Sequence, residues 1–499
     1  IKSDTIQRMS DYLKHIPKEV LFVSESLRAS NFESYLVGGC VRDLLRGAKP
    51  KDWDITTNAT PEEILKIFPH AFYENAFGTV GIVNDEATDE TLKTIEVTTY
   101  REEGEYSNSR HPDSVSFSTN LSDDLKRRDF TMNAIALDPK SGEIVDLYNG
   151  TEDLKEGVIK AVGKAEDRFK EDALRMLRGV RLAAELGFTI DTETEKAIQN
   201  NSQLLEKISK ERIQTEFSRI LLSANPMQGV KIALKLGLLR YIAHDLERGI
   251  GVDQNQAHKY DVFEHNLRTL QHAADKGWDL DLRLASLFHD VSKPETRRFS
   301  KEKNDWTFYG HDVVGAKLTK KILSELKYPK KTIDKVVKLV RWHMFFSDPE
   351  QITLSAVRRL IATVGKEDIW ELMNLRICDR IGTGRPKENP YRFRKYKSMV
   401  EEALDDPVTV GMLKIRGDEI ISFLNITPGP KIGYILHSLF EEVLDKPEKN
   451  TNEYLLKRAG ELNELSIEEL KKMGESGKAS KENEQKKKVE KIRSKYHVE

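Results

Sequence analysis

The residue pattern changes character once, between about residues 150 and 165, and that change constrains the fold more than any other feature of the chain. Upstream of it, short β-branched runs such as "SYLVGG", "TVGIV" and "KTIEVTTY" read as strands. "TPEEILKIF" reads as a helix with a defined start: Thr60 caps it, Pro61 takes the first position and Glu63 closes a capping box. Residues 1 to about 30 show looser helical spacing through Met9, Leu13, Val20 and Leu27. Downstream, almost only helical periodicity remains, as in "EDALRMLRGVRLAAELGF", which stops at Gly187. A Pro/Gly stretch, "NITPGPKIG", interrupts the helices near residues 425 to 433. The last thirty or so residues, including "KENEQKKKVEKIRSK", are poor in apolar side chains and read as a frayed helix or a disordered tail. The expectation is a mixed α/β part over residues 31 to about 150, followed by a helical part.

A chain of 499 residues holds more than one domain. Its net charge of −2 announces no partner, so any nucleic-acid surface must be a local patch. The two cysteines, Cys40 and Cys378, are far apart and lack metal-type spacing, which fits a reducing cytosol. There is no apolar run of transmembrane length and no signal peptide.

Chemistry-bearing residues cluster first at "YLVGGCVRDLLRGAKPKDWDI". Asp52 and Asp54, at i and i+2 on an extended segment, point the same way and can share a divalent cation. Carboxylate oxygens suit Mg²⁺, which takes its remaining ligands from water and substrate phosphates. A glycine pair after a strand, Gly38 and Gly39, lets backbone N–H groups approach a phosphate, and Arg42 adds a charge-assisted contact. A DxD triplet or a glycine pair by itself is usually only a solvated loop or a turn. Glu96, acidic among β-branched neighbours in "TIEVTTY", is a third carboxylate for in-line phosphoryl transfer, or else a solvent-facing strand residue.

These residues resemble the signature of the DNA polymerase beta nucleotidyltransferase superfamily. More narrowly, the chain is similar to the class II tRNA nucleotidyltransferases (CCA-adding enzymes) and the bacterial poly(A) polymerases. "RRDFTMNAIA" resembles the nucleotide-sugar motif, "EDALRMLRGVR" the base-reading motif, and "KERIQTEFSRIL" the helix supporting it. The matches run in family order over roughly residues 20 to 240. The resemblance implies that Asp52 and Asp54 bind Mg²⁺, with Glu96 beside them. It implies that Gly39, Arg42 and Arg128 hold triphosphate and sugar, and that Asp129 and Asn133 assist at the ribose. Asp172 and Arg175 would read the base, with Arg178 and Arg181 at the phosphates or stacked nearby.

Asp172, Arg175, Arg178 and Arg181 recur every three positions, a single drifting polar stripe if all lie on one helix. One acid among four such residues is no salt-bridge ladder, so anions or bases are the natural partners. A carboxylate accepts from an exocyclic amine and a guanidinium donates from a planar fork. Cytosine and adenine present an amine beside a ring-nitrogen acceptor, whereas guanine and uracil turn a carbonyl towards the carboxylate.

Seven of the twelve histidines lie between His244 and His343. The adjacent His289 and Asp290 within the apolar stretch "LASLFHDVSK" need partners if buried, and a metal ion would satisfy them. With His265, His311, His343 and Asp379 they resemble the HD-domain phosphohydrolase pattern, implying one or two divalent transition metals. The bland alternative is an inherited domain serving as an RNA-binding body.

The fold class implied is α+β, with a small mixed α/β, polymerase-beta-like head followed by an elongated all-α body. The implied division is a catalytic head over residues 1–160, a base-selecting neck over 161–240 and an HD domain over 241–400. A helical RNA-binding tail over 401–465 and a charged extension over 466–499 complete it. The implied function is template-independent addition of C, C and A to the 3′ end of tRNA from CTP and ATP, in the cytoplasm. The tRNA acceptor end and elbow are the expected partner; no membrane or protein partner is expected. Lys-rich runs such as "KLTKKIL" and "KYPKKTIDKVVK" would supply phosphate contacts or, as is commoner, remain solvated faces. A poly(A) polymerase, or an enzyme adding only CC or only A, shares the same motifs. An HD phosphohydrolase with an RNA-binding head is the reading from a different class, against which the intact DxD and RRD residues argue. "REEGEYSNSRHPDS", residues 101–114, is the expected flexible loop coupled to base selection.

Overall fold

The computed structural model describes residues 12–75, 78–103, 115–255, 258–345 and 351–470. The expected coupling loop beyond Glu103 and most of the charged extension therefore lie outside the described residues. Two compact units divide between Glu247 and Arg248.

The first unit opens with α1 (Lys18–Ala29), capped by Pro17 and preceded by helical residues Tyr12 and Leu13; the earlier part of the expected N-terminal helix lies outside the described residues. β1 (Tyr35–Val37) runs into α2 (Gly39–Leu45) through Gly38, whose φ of +83° favours a residue without a Cβ. β2 (Asp54–Thr57) precedes α3 (Pro61–Ile67), where Thr60 and Glu63 form the expected capping box. β3 (Ala71–Asn75), β4 (Thr79–Val83) and β5 (Thr94–Thr99) follow, with β6 (Arg101–Glu103) and β7 (Val115–Phe117) as a separate ribbon. β8 (Ile135–Leu137) and β9 (Ile144–Asp146) complete a seven-stranded sheet in the order β3-β4-β5-β2-β1-β8-β9. Its strands are antiparallel neighbours except β2 and β5, which run parallel and set Asp54 beside Glu96. Val20, Val23 and Leu27 of α1 join Leu36, Ile55 and Val97 of the sheet in one core, so α1 covers one face. The short helix Leu121–Lys126 precedes the RRD motif, and the turn Thr131–Asn133 ends it.

Residues 165 to 247 are helical apart from a short parallel ribbon, Val158–Ile159 with Thr189–Ile190. Helix Leu174–Leu186 ends as expected at Gly187, in the left-handed conformation with φ +72°. It packs with helices Lys210–Leu222 and Pro226–Lys235; Ile220 and Ala184 press so closely on Gly229 that a Cβ there would meet them at 2.6 and 2.9 Å.

Among the described residues the second unit is helical, with one hairpin, Arg298–Ser300 paired with Asp305–Thr307, where helices alone were expected. Its helices Val262–Asp275, Leu280–Phe288 and Ile369–Gly382 pack together. Residues from Leu413 to Leu470 form a separate apolar cluster.

Gly150 holds the RRD segment in place by close approach. A Cβ there would lie 2.1 Å from the Thr131 carbonyl oxygen. Gly150→Ala is expected to cost about 1–3 kcal/mol by forcing backbone apart, measured by urea denaturation. Unchanged stability would mean that the turn at Thr131 is not fixed by this contact.

Candidate functional site

The glycine turn gathers the first set of polar residues. A Cβ at Gly38 would stand 3.2 Å from Asp54 Oδ2 and 3.3 Å from an Arg128 guanidinium nitrogen. One at Gly39 would stand 3.4 Å from Asp52 Oδ1 and 3.7 Å from Arg42 Nη2. Both aspartates and both arginines therefore border the turn, where side chains are missing. Burial first, and then the charges of Asp52 and Glu96, push the Asp54 carboxyl up to about 7. Three acids crowd one edge, and a cation there relieves their repulsion, so these residues fit a divalent metal. Cys40, on the same turn, is buried, which pushes its thiol up to about 12 and leaves it a packing residue.

The arginines are held from behind. Asp124 is fully buried and accepts from Arg127 Nε at 2.9 Å and Arg128 Nη2 at 2.9 Å. Burial raises its carboxyl, but the two guanidinium charges outweigh that and lower it to about 2. Asp124 was not singled out from the sequence, although "DDLKRR" carries the i, i+3 and i, i+4 acid–base spacing that could have found it. A chain of contacts then crosses to the neck. Arg42 Nη1 donates to Asn133 Oδ1 at 3.1 Å, and Asn133 Nδ2 donates to Asp129 Oδ1 at 3.1 Å. Asp129 Oδ2 lies 2.8 Å from Arg178 Nη2 as an ion pair. Burial raises the Asp129 carboxyl, and Arg178 with other partners lowers it further, to about 2.

The expected single stripe of Asp172, Arg175, Arg178 and Arg181 is interrupted. One helix ends at Glu171 and the next starts at Leu174, with Asp172 extended at φ −133° between them. Its Oδ1 accepts the Leu174 N–H at 3.0 Å, and its Oδ2 pairs with Arg212 at 2.8 Å. Arg175 pairs with Glu171 at 2.6 Å and donates to the Arg127 carbonyl at 2.9 Å. Arg181 is buried between Glu185 at 2.8 Å and Glu216 at 2.7 Å. Thus each of the three arginines has an acid of the chain as partner, which the argument from composition of the stripe did not foresee. Glu171 and Glu185 lie four positions from Arg175 and Arg181 and were readable from spacing; Arg212 and Glu216 come from "KERIQTEFSRIL", which spacing along one helix cannot reveal.

The histidine expectations converge in the second unit. Among the described residues, two sets each bring three ligand atoms within 4.8 Å: His265, His289 and Asp379, and Asp290, His311 and His343. All six are buried. Asp290 joins the sets: its Oδ2 is 3.2 Å from His265 Nε2 and 3.3 Å from His289 Nε2, and its Oδ1 is 3.3 Å from His311 Nε2. Rather than lying within a helix, His289 and Asp290 follow the end of Leu280–Phe288.

Backbone carbonyls fix three rings. Nδ1 of His289 donates to Ser286 O at 2.9 Å, that of His311 to Phe308 O at 2.6 Å, and that of His343 to Val340 O at 2.6 Å. A proton on Nδ1 leaves the Nε2 lone pair facing inward, as metal ligation requires. Asp290 Oδ1 is buried without a hydrogen-bond partner. Burial opposes charge on His265, yet Asp290 and Asp379 outweigh it and raise the ring to about 9. The cluster thus demands positive charge, and the donor set fits one or two divalent metals. Lys293, not singled out from the sequence, supplies part of that charge: its buried Nζ is 2.5 Å from Asp290 Oδ2 and 2.6 Å from Gln254 Oε1. His258 stands edge-on to His265 at 5.4 Å.

Fold and sites together define a nucleotidyltransferase head carried in one chain with an HD domain. Residues 34–160 match the family description "Poly A polymerase head domain", 187–249 "Probable RNA and SrmB- binding site of polymerase A", and 262–381 "HD domain". A CCA-adding enzyme of Lactiplantibacillus plantarum is 31% identical over 438 residues, covering 87% of this chain and 93% of that enzyme. The chain belongs to the CCA-adding enzyme family. One from Ligilactobacillus salivarius is 47% identical over 225 residues, covering 45% of this chain and 54% of the relative, so this alignment spans about half of that protein. The Bacillus stearothermophilus CCA-adding enzyme, solved in complex with CTP, aligns with TM-score 0.67 and 29% identity over 90% of this chain and 97% of that one. No described helix is long and apolar enough to cross a membrane.

The raised Asp54 carboxyl has a defined pH consequence. A folded-state value of about 7 against an ordinary 3.8 means that Asp54 favours folding most below about 4, and that this contribution is lost as pH rises through 7. In metal-free protein, the thermal midpoint of the wild type relative to Asp54→Asn is expected to fall between pH 4 and 7. Mg²⁺ binding, followed by calorimetry, is expected to strengthen up to about pH 7 and then level off. A flat midpoint difference and pH-independent binding would show that Asp54 is not crowded by its neighbours.

Proposed function

We propose that the chain adds C, C and A to the 3′ end of tRNA without a template, drawing on CTP and ATP. The observation that carries this reading is the joining of the acid-lined glycine turn to the neck helix through Arg42, Asn133, Asp129 and Arg178. It connects a place for a triphosphate to a place for a base. The RNA 3′ oxygen attacks the α-phosphorus, the new P–O bond forms, and the bond to the β-phosphate oxygen breaks to release pyrophosphate. Asp52 and Asp54 would hold a Mg²⁺ ion, and that ion would supply charge neutralisation at the reacting phosphate. Glu96 adds negative charge that strengthens that hold. The backbone at Gly39 and the guanidinium groups of Arg42 and Arg128 bind the triphosphate, and Asp129 with Asn133 meets the ribose. Asp172 accepts from the exocyclic amine of cytosine or adenine, and Arg175 donates to the adjoining ring nitrogen. Arg212 orients the Asp172 carboxylate. Arg178 reaches the nucleotide from its place on Asp129. Arg181, expected at the phosphates or stacked nearby, is assigned instead to bracing the neck, because Glu185 and Glu216 occupy it. The helical parts take the tRNA acceptor end and elbow by shape and backbone charge, and the two buried, unpaired cysteines suit a cytoplasmic setting.

A tRNA lacking its last three nucleotides, incubated with CTP, ATP or both, is expected to gain CC, nothing and CCA respectively on a sequencing gel. Long A tails would indicate a poly(A) polymerase, and addition of CC alone or A alone a partial enzyme. Asp172→Ala is expected to erode discrimination against GTP and UTP by about 1–3 kcal/mol, roughly 5- to 150-fold, in single-nucleotide incorporation assays. Discrimination that survives intact in an active variant would exclude reading by this carboxylate.

A second reading concerns the histidine cluster. His265, His289 and Asp379 would hold one divalent transition metal, and Asp290, His311 and His343 would hold a second. Such a site suits hydrolysis of a phosphoester. Elemental analysis of protein prepared without chelators is expected to find one to two transition-metal ions per chain, lost in His289→Ala and Asp290→Ala. Wild-type protein devoid of metal would remove this reading and leave the domain as a binding body.

A further inference from the structure

The hairpin formed by Arg298–Ser300 and Asp305–Thr307 leads directly into the histidine cluster. The Phe308 carbonyl that follows it orients His311. Lys293, paired with Asp290, lies 5.5 Å from the Phe308 ring centre. The hairpin also displays aromatic and cationic side chains that are not among the metal-ligand sets. The Arg297 guanidinium lies 3.7 Å over the Trp306 ring, and Phe299 meets Trp306 edge-on at 5.2 Å. Phe299 is 51% exposed and Tyr309 63% exposed, with Lys303 Nζ 2.8 Å from the Tyr309 hydroxyl. Residues 297–310 carry four cationic and two acidic side chains, a local positive excess in a chain of net charge −2.

Exposed aromatic faces interleaved with cations suit unpaired nucleic acid. Bases stack on the rings whatever their identity, and the cations follow the phosphates. A duplex hides its base faces and could not use Phe299 or Tyr309 in this way. An apolar protein partner would leave the lysines and arginines unmatched. We propose that this hairpin is a docking platform for the last bases of single-stranded RNA, which it presents, terminal phosphate first, to the histidine cluster. The fate of that phosphate rests on the phosphohydrolase reading above; the docking does not.

The test uses the full chain loaded with Mn²⁺ and a five-nucleotide RNA bearing a 3′-phosphate and one 4-thiouridine. Irradiation is expected to crosslink the RNA to the peptide containing residues 297–309. The double variant Phe299→Ala/Tyr309→Ala changes only exposed side chains, and its folding is checked by circular dichroism. It is expected to weaken RNA binding roughly tenfold or more and to abolish that crosslink. Its preference for the RNA phosphate over p-nitrophenyl phosphate should fall by a similar factor. Crosslinks found only elsewhere, or unchanged affinity and crosslinking in the variant, would overturn the docking. A hairpin crosslink without phosphate release from any substrate would retain the docking and remove the hydrolytic reading.

Discussion

The head depends on a strand that turns into a helix at a residue with no Cβ. Gly38 adopts a conformation that other residues resist, and its missing side chain leaves room for Asp54 and Arg128. The strand beside it starts at Asp54, Asp52 reaches the turn from the bend before that strand, and the one parallel pairing in the sheet brings Glu96 alongside. Fixing one backbone angle thereby sets the distance between acids that repel and a cation that would reconcile them. Filling that corner with a side chain would displace the acids from the turn.

Around this corner the arginines are restrained rather than free. Asp124 fixes Arg127 and Arg128, Asp129 meets Arg178, and Glu216 with Glu185 encloses Arg181. Buried guanidinium groups need such partners, and removing one partner leaves a costly unpaired charge. The same pairing serves function, because an arginine already oriented loses less freedom on meeting a nucleotide. Asp129 Oδ2 and Arg178 Nε still lack a hydrogen-bond partner.

The second unit solves an opposite problem. The head holds excess negative charge beside an open turn, whereas the HD cluster buries histidines and aspartates together. It does so only because backbone carbonyls set the ring tautomers and Lys293 shares the Asp290 charge. On the hairpin that leads into it, Phe299 and Tyr309 stay exposed.

Much of this was legible in one dimension, because certain constraints are local. The Gly38 turn, the Thr60 capping box, the stop at Gly187 and the helical periodicity beyond the head each depend on residues a few positions apart. The motif spacings carried the family resemblance for the same reason. Some charges pair locally, as Arg175 with Glu171 and Arg181 with Glu185, but others depend on contacts between segments far apart in sequence. Asp172 was expected on one helix with Arg175, but lies between two helices and meets Arg212, forty positions away. Asp290 became the joint of two ligand sets, and Lys293 its neutralising neighbour, only when five segments converged. Periodicity is a property of a single element and survives in the sequence, whereas ion pairing is set by distance in space, which the chain acquires only on folding.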